Sequence, residues 1–498
     1  MGKMGNVPNF SRMRLLRRIV FWLFVVIYLI ACPLTLFSAL GYWFSPKTES
    51  GLVKTGVIYL ASTPHHASVY LGHRRYTKPT PTLLSDLLPG TYPLRVIRKG
   101  YRPWSREVRV EVGKATTLDH ILLIPDPLKP EQVVPGPFEE LVSLGERYLL
   151  LLKRGRRLGD TVVYDVKNRE AWSLLPEGSA WRRARLASWT TQPKSAAAFL
   201  RVVVADRQRF LWVKLKAQEA QIEDLTAWLP QRPQRVAWDP SDFFDRDELM
   251  ILHDATLARL DVKSGDLFPG FATNVRGYGC AHRALYVLEQ DGTLVRLDLG
   301  NRNREVLLRD PVFTEALGRD PDSYALQVLR KELLQFLQKD VILLRGAHGA
   351  LLANRAPYRF LDEGLVGLEP DPDRQRVLAW QHSRLGILEF PKELPQDPAR
   401  ERAPQWQWLV DQGERIEQAF WVFEGSHVAF RDQDRVVLLA LESFAAPQLQ
   451  PLLSVKPRSH IFYSEETGEL YVLDGTDGSL RAFPLVPRTE LLPPRTSP

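Results

Sequence analysis

One hairpin is written repeatedly along this chain, and that repetition constrains the fold more than any other feature. Leu285-Tyr286-Val287-Leu288 is followed by Asp291-Gly292-Thr293-Leu294-Val295-Arg296-Leu297-Asp298, and Leu470-Tyr471-Val472-Leu473 by Asp477-Gly478-Ser479-Leu480-Arg481. A third copy, Leu249-Met250-Ile251-Leu252 with Thr256-Leu257-Ala258-Arg259-Leu260-Asp261, precedes the first by about 36 residues, a period typical of radial or stacked β arrays. Each copy is an apolar strand, a polar turn and a second strand ending in a charged residue. Weaker echoes follow the same grammar: Tyr148 to Leu152 with Thr161 to Val166, Ala197 to Val204 with Arg209 to Leu215, and Val341 to Leu344 with Leu351-Leu352. Val377 to Trp380 with Leu385 to Phe390, and Val428 to Phe430 with Val436 to Leu441, complete a set of about eight.

Eight hairpins between residues 131 and 487 suit seven or eight four-stranded blades. The region resembles a divergent β-propeller of the broad WD-repeat or surface-protein type, expected over residues 137–487. It lacks the strict Trp-Asp and Gly-His signatures, so the resemblance implies a fold and no subfamily. One stretch breaks the rhythm. Leu326, Leu329, Leu333, Phe336 and Leu337 stand at helical spacing within Tyr324 to Lys339, which predicts an amphipathic helix packed on the disc or projecting from it. The thirteen tryptophans, Trp181, Trp189, Trp212, Trp228, Trp238, Trp406, Trp408 and Trp421 among them, are expected mainly to pack blades.

At the other end, Lys3, Arg12, Arg14, Arg17 and Arg18 stand before an uncharged apolar run from Ile19 to Phe44. A run of that length exceeds the roughly 20 residues that cross a bilayer as a helix, and the basic flank marks the side that stays cytoplasmic. The expectation is a cytoplasmic tail (1–18), a single transmembrane helix (19–44), and a chain otherwise periplasmic or extracellular, on the inner or plasma membrane. Leu29-Ile30-Ala31-Cys32 resembles the lipobox of bacterial lipoproteins, but apolar sequence continues past it to Tyr42-Trp43-Phe44, which favours a retained anchor. Cys32 and Cys280 are the only cysteines, so no disulfide framework supports the fold.

Between anchor and repeat, residues 51–125 read as short strands: Val57 to Leu60, Ser68 to Leu71, Tyr92 to Ile97, Val108 to Val112 and Leu118 to Ile124. They predict a small sandwich. The segment carries Thr63-Pro64-His65-His66-Ala67-Ser68-Val69-Tyr70-Leu71-Gly72, then Thr80-Pro81, then Leu87-Leu88-Pro89-Gly90-Thr91-Tyr92, then Lys99-Gly100-Tyr101-Arg102-Pro103-Trp104. In that order and spacing it resembles the PEGA domain of bacterial and archaeal surface proteins. His65 and His66 replace the Glu-Gly of the family's name, so the turn after Pro64 must do without glycine.

Charge is uneven along the chain. Residues 1–130 carry about +12 and the remainder about −4 of the net +8. Arg95 and Arg109 add to a basic set, Arg74, Arg75, Lys78, Arg98, Lys99, Arg102 and Arg106, from which a contact with anionic headgroups or envelope polymers is expected. Alternation along Arg106 to Val112 is read as placing arginines on one strand face. His65, His66 and His73 lack the carboxylate or cysteine that would complete a metal set.

No phosphate loop, zinc-protease helix or serine elbow is present. Acidic pairs such as Asp242 with Asp245 and Asp371 with Asp373 sit in loops, and Asp291 and Asp477 hold equivalent turn positions. The chain is therefore expected to be all-β after its anchor and not an enzyme: no catalytic residue, cofactor or metal, and no nucleic-acid partner. A proline-punctuated linker (126–136) and a disordered tail (488–498) complete the organisation. The expected role is a membrane-anchored scaffold of the cell envelope whose propeller recognises protein or polysaccharide; the alternative is a glycan hydrolase or lyase with its site in the propeller channel.

Overall fold

The computed structural model describes residues 10–39, 42–44, 52–191, 196–229, 233–238, 248–281, 284–298, 303–318, 324–329, 341–346, 349, 351–353, 360–362, 364–371, 376–389, 405–441, 448–457 and 459–487. They fall into two compact units, one ending at Pro127 and the other beginning at Leu128.

The first unit opens with a helix, Phe10–Ala39, containing Pro33. It starts before the apolar run and ends inside it. Tyr42–Phe44, expected as the end of a spanning helix, is instead a strand paired antiparallel with Leu52–Lys54, in keeping with the strand preference of consecutive aromatic residues. Among the described residues no helix is long and apolar enough to cross a membrane.

The same unit holds a sandwich of two sheets. Thr82–Leu87, Gly56–Thr63 and Ala115–Leu122 form one; Arg74–Arg75, Ser68–Leu71, Gly90–Ile97 and Trp104–Val110 form the other. Period-two alternation turns Ile58, Leu60, Leu84 and Leu118 toward Val69, Leu94, Val96, Trp104 and Val108, all buried in one core. Where a glycine is missing after Pro64, His66 takes the left-handed conformation itself, at φ 61°.

The second unit consists of four-stranded antiparallel sheets, and the eight hairpins are their second and third strands. Glu140–Leu144, Tyr148–Leu152, Val162–Asp165 and Glu170–Ser173 make blade one, and Arg185–Thr191, Ala197–Val204, Arg207–Lys216 and Glu219–Asp224 blade two. Blades three to seven occupy residues 235–272, 275–308, 324–362, 367–410 and 416–454. Blades four and five join through a short parallel pairing of their first strands, Gly277 with Tyr324 and Tyr278 with Ala325. First strands therefore converge, and fourth strands such as Leu267–Ala272 and Arg304–Leu308 carry the exposed side.

Blade eight is built from both ends of the unit. Phe462–Ser464, Glu469–Leu473 and Leu480–Pro484 are completed by Glu131–Val134, which pairs antiparallel with Leu480–Pro484. Residues 131–134, read as part of a linker from the prolines around them, thus form the strand that closes the ring, leaving no free edge at the junction. Val134, Tyr471, Leu480 and Ala482 share a core there with Leu141, Leu149 and Leu151 of blade one. Arg169 of blade one pairs with Glu131 at 2.8 Å and with Glu469.

Tyr324–Leu329, expected to begin an amphipathic helix, is the first strand of blade five, paired with Val341–Arg345. Its Ala-Leu-Gln-Val-Leu run satisfies either period, and pairing on both flanks decides for the strand. Residues 330–340 lie outside the described residues, as do residues 1–9 and 488–498, Asp242, Asp245 and Asp373.

Candidate functional site

The basic residues of the first unit are sorted by strand register. In the four-stranded sheet Tyr70 stands opposite both Arg75 and Arg95, and Arg95 opposite Ser105. Because Val69, Leu71, Leu94 and Val96 point inward, this row of Arg75, Tyr70, Arg95 and Ser105 lies on the solvent face. The Arg75 guanidinium sits 5.9 Å from the Tyr70 ring centroid and 3.5 Å from Ser68 Oγ. Ser68 in turn opposes Ile97, next to Arg98, whose Nη1 donates to the His65 carbonyl and whose guanidinium lies 5.5 Å from the Tyr101 ring. One continuous surface thus joins Arg75 and Arg95 to the turn bearing Arg98, Lys99 and Arg102. Arg74, 5.2 Å from the Tyr76 ring, occupies the sheet edge, with exposed Lys78 shortly after it.

Arg106 does not belong to this face. It stands opposite Leu94 with the inward parity of Trp104 and Val108, is half-buried, and stacks on Trp104 at 5.9 Å. Arg109 is three residues on, an odd number, so it points outward opposite Thr91; the two arginines are on opposite faces of the strand. Arg95, between inward Leu94 and Val96, takes the place in the surface row that Arg106 cannot. Residues 55–123 hold ten Lys or Arg against four Asp or Glu. Among the described residues Arg74, Arg75, Lys78, Arg95 and Lys99 make no ion pair within the chain, so their charge faces water. Aromatic rings hold the guanidiniums of Arg74 and Arg75 in place, which lowers the ordering cost of meeting an anion.

In the second unit the first strands are where a channel site would be built. Their carboxylates are largely bound by arginine: Asp371 pairs with Arg376 at 2.5 Å, and Glu417 pairs with Arg415 at 2.8 Å and with buried Arg431. Arg376 also donates to the Gly425 carbonyl at 2.7 Å and lies 4.6 Å from the Trp421 ring, whose Nε1 donates to the Glu369 carbonyl at 3.1 Å. These groups fasten blade six to blade seven. Gln418 fastens seven to eight, donating to Ile461 O at 2.7 Å and accepting from Ile461 N at 2.9 Å. Burial pushes the Glu369 carboxyl up to about 8 and that of Glu465 to about 7. Asp291 and Asp477 accept from the backbone N–H two residues on, Thr293 at 2.9 Å and Ser479 at 2.8 Å. These bonds, with those from the same residues' side chains, hold both carboxyls below the ordinary range; both are turn formers.

Residues 55–123 match the family model of the PEGA domain. No curated protein matches the chain. Solved structures similar to it include the β-propeller domain of Myceliophteria thermophila Cps50 (Swd1), at 10% identity and a TM-score of 0.37, covering 72% of this chain and 99% of that one. The Dos1 propeller is similar at 12% identity and a TM-score of 0.41, covering 72% and 95%. PorZ, a surface component of the type-IX secretion system of Porphyromonas gingivalis, is similar at 10% identity and a TM-score of 0.36, covering 69% of this chain and 42% of that one. Likenesses of this grade carry no functional argument; the strand order and ring closure carry the fold. The chain therefore combines a PEGA domain at residues 55–123 with a β-propeller.

Proposed function

We propose that this protein is a membrane-anchored scaffold of the cell envelope, its bulk extracytoplasmic, in which the propeller is a rigid platform for protein or polysaccharide recognition. The observation that carries the reading is the N-terminal helix. From Ile19 to Ile30 its large apolar side chains are exposed on every side, Phe24 at 68% and Leu29 at 64% among them. A helix apolar all round needs an apolar medium, and a patch of this kind on a folded chain marks a membrane or partner surface. The basic PEGA face supports the same setting, since each Lys or Arg held near an anionic bilayer contributes about 1 kcal/mol. Arginine pairing of Asp371 and Glu417 supports binding over catalysis, because glycan hydrolysis needs two carboxylates free to act on the substrate.

Fractionation with alkaline carbonate extraction tests the anchor. The full chain is expected in the membrane pellet, a form lacking residues 10–39 in the supernatant, and protease added to spheroplasts is expected to digest the propeller. A full chain found in the carbonate supernatant, or a propeller protected until the membrane is lysed, would overturn the proposal. Crosslinking in cells with and without residues 128–487 tests the platform, and an unchanged partner set counts against it.

A further inference from the structure

Blade one carries an arginine-lined hollow that the repeat pattern does not reveal. Its second and fourth strands run in the same direction, because each reversal alternates, so the segments leaving them, residues 153–161 and 174–184, emerge at the same end of the blade. The first contains a 3₁₀ turn at Leu158–Asp160, the second one at Ala180–Arg183. Backbone hydrogen bonds tie the two segments together, Leu158 N to Ala184 O at 2.9 Å and Leu186 N to Arg156 O at 2.8 Å. A Cβ on Gly159 would lie 2.7 Å from Arg182 O, so the turns meet at a distance only glycine permits. Leu158, Leu174, Leu175 and Ala184 anchor them in the core.

Between the turns is a cavity of about 520 Å³ lined by Arg157, Arg182, Arg183, Asp160 and Ser179, within the size range of small-molecule sites. Arg182 is positioned by the Leu175 and Pro176 carbonyls, at 3.3 and 3.4 Å. Arg157 and Arg183 are exposed and, among the described residues, make no ion pair. Three arginines and one aspartate line a hollow whose walls are held by core packing.

We infer that this hollow binds an acidic saccharide: its carboxylate or phosphate is held by Arg157, Arg182 and Arg183, and a ring hydroxyl donates to Asp160. Arginine forks match either anion in bidentate geometry, whereas Asp160 repels an anion and accepts from a hydroxyl. A bare anion would use only half the lining. The inference rests on the reading of the propeller as a recognition platform and names the class of ligand it takes.

The test is calorimetric titration of the purified full chain with glucuronate, glucose 6-phosphate and glucose; it requires no membrane location and so stands apart from the fractionation above. Binding of one or both acidic sugars, no binding of glucose, and a loss of at least about tenfold in affinity in R157A/R183A are expected. R154A, an exposed arginine outside the cavity lining, is expected to bind as the unaltered chain does. Glucuronate and glucose 6-phosphate arms decide between carboxylate and phosphate, and inorganic phosphate is expected to bind more weakly than the preferred sugar. Failure of both acidic sugars to bind, equal binding of glucose, or acidic-sugar binding unaffected by R157A/R183A overturns the inference, as does an equal loss in R154A. A melting temperature of R157A/R183A matching the unaltered chain separates lost binding from lost folding.

Discussion

Ring closure is decided at Gly136, where the chain passes from the closing strand into blade one. A Cβ built there would lie 2.7 Å from the Gly478 carbonyl carbon, 2.8 Å from its oxygen, and closer still to the Asp477 carbonyl oxygen. These are backbone atoms of the tight turn between the last two strands, which no side-chain rotation can move. Restoring ordinary contact requires a shift of roughly 0.6 Å or more. The Phe138 N to Gly478 O bond, 3.0 Å long, would stretch past hydrogen-bonding range, at about 1 kcal/mol, and Phe138, which is 2% exposed, would lose packing. Overpacking typically costs about 1–3 kcal/mol. Against this, replacing glycine by alanine stabilises through the unfolded chain by about 0.4–1 kcal/mol. The clash wins, and Gly136→Ala is expected to destabilise by about 2 kcal/mol. For a cooperative unit of about 350 residues that corresponds to a fall of roughly 3 °C in melting temperature, readable by tryptophan fluorescence. Gly475, in the same turn, is the control: its Cβ would meet nothing nearer than 3.8 Å, so Gly475→Ala is expected to be neutral or slightly stabilising. A Gly136→Ala chain that melts at or above the parent temperature, or a Gly475→Ala chain that loses as much, would refute the closure reasoning.

Other perturbations follow from the same geometry. His66→Gly should stabilise the PEGA domain by about 0.5–1 kcal/mol, because His66 is exposed at φ 61° and glycine removes the left-handed penalty; a lower melting temperature would contradict this. Glu417→Leu should cost about 3 kcal/mol by leaving Arg431, 3% exposed, without its main counter-charge, whereas E417L/R431M should recover most of the loss; a double variant less stable than the single one would oppose it. Glu369 holds its proton up to about 8 in the fold but releases it near 4.5 when unfolded. Its contribution is therefore fully present below about 4.5 and is lost as pH rises toward 8, so Glu369→Gln should gain on the parent chain progressively between pH 5 and 8, and a pH-independent gap would count against it. Arg75→Glu with Arg95→Glu should abolish the binding of the full chain's PEGA face to anionic over neutral vesicles, whereas Arg106→Gln should leave that preference in place; equal effects would dissolve the register argument.

The second strands of the blades were legible because both their faces are largely buried. Such strands read as continuous runs, Tyr148–Leu152 and Glu469–Leu473 among them, and every residue of both is buried. First and fourth strands carry no such run. Gly367–Asp371 contains a proline and a glutamate, and Glu170–Ser173 is nearly all exposed; neither stands out from loop sequence. The PEGA segment was readable from its glycines, prolines and aromatics, which mark turns and ends locally.

By itself, the sequence determined what local chemistry can determine: eight hairpins, a small basic sandwich, and an apolar helix with a basic flank. Tertiary structure alone decided what depends on partners far away in the chain. Closure of the ring follows from the pairing of Glu131–Val134 with Leu480–Pro484, since a strand cannot announce which distant edge it will close. Register moved Arg106 to the core side and Arg95 into the surface row, because a shift of one residue reverses a strand's face. The arginine hollow exists only where two loops leave one end of a blade, a proximity set by chain reversal and core packing and not by spacing along the sequence.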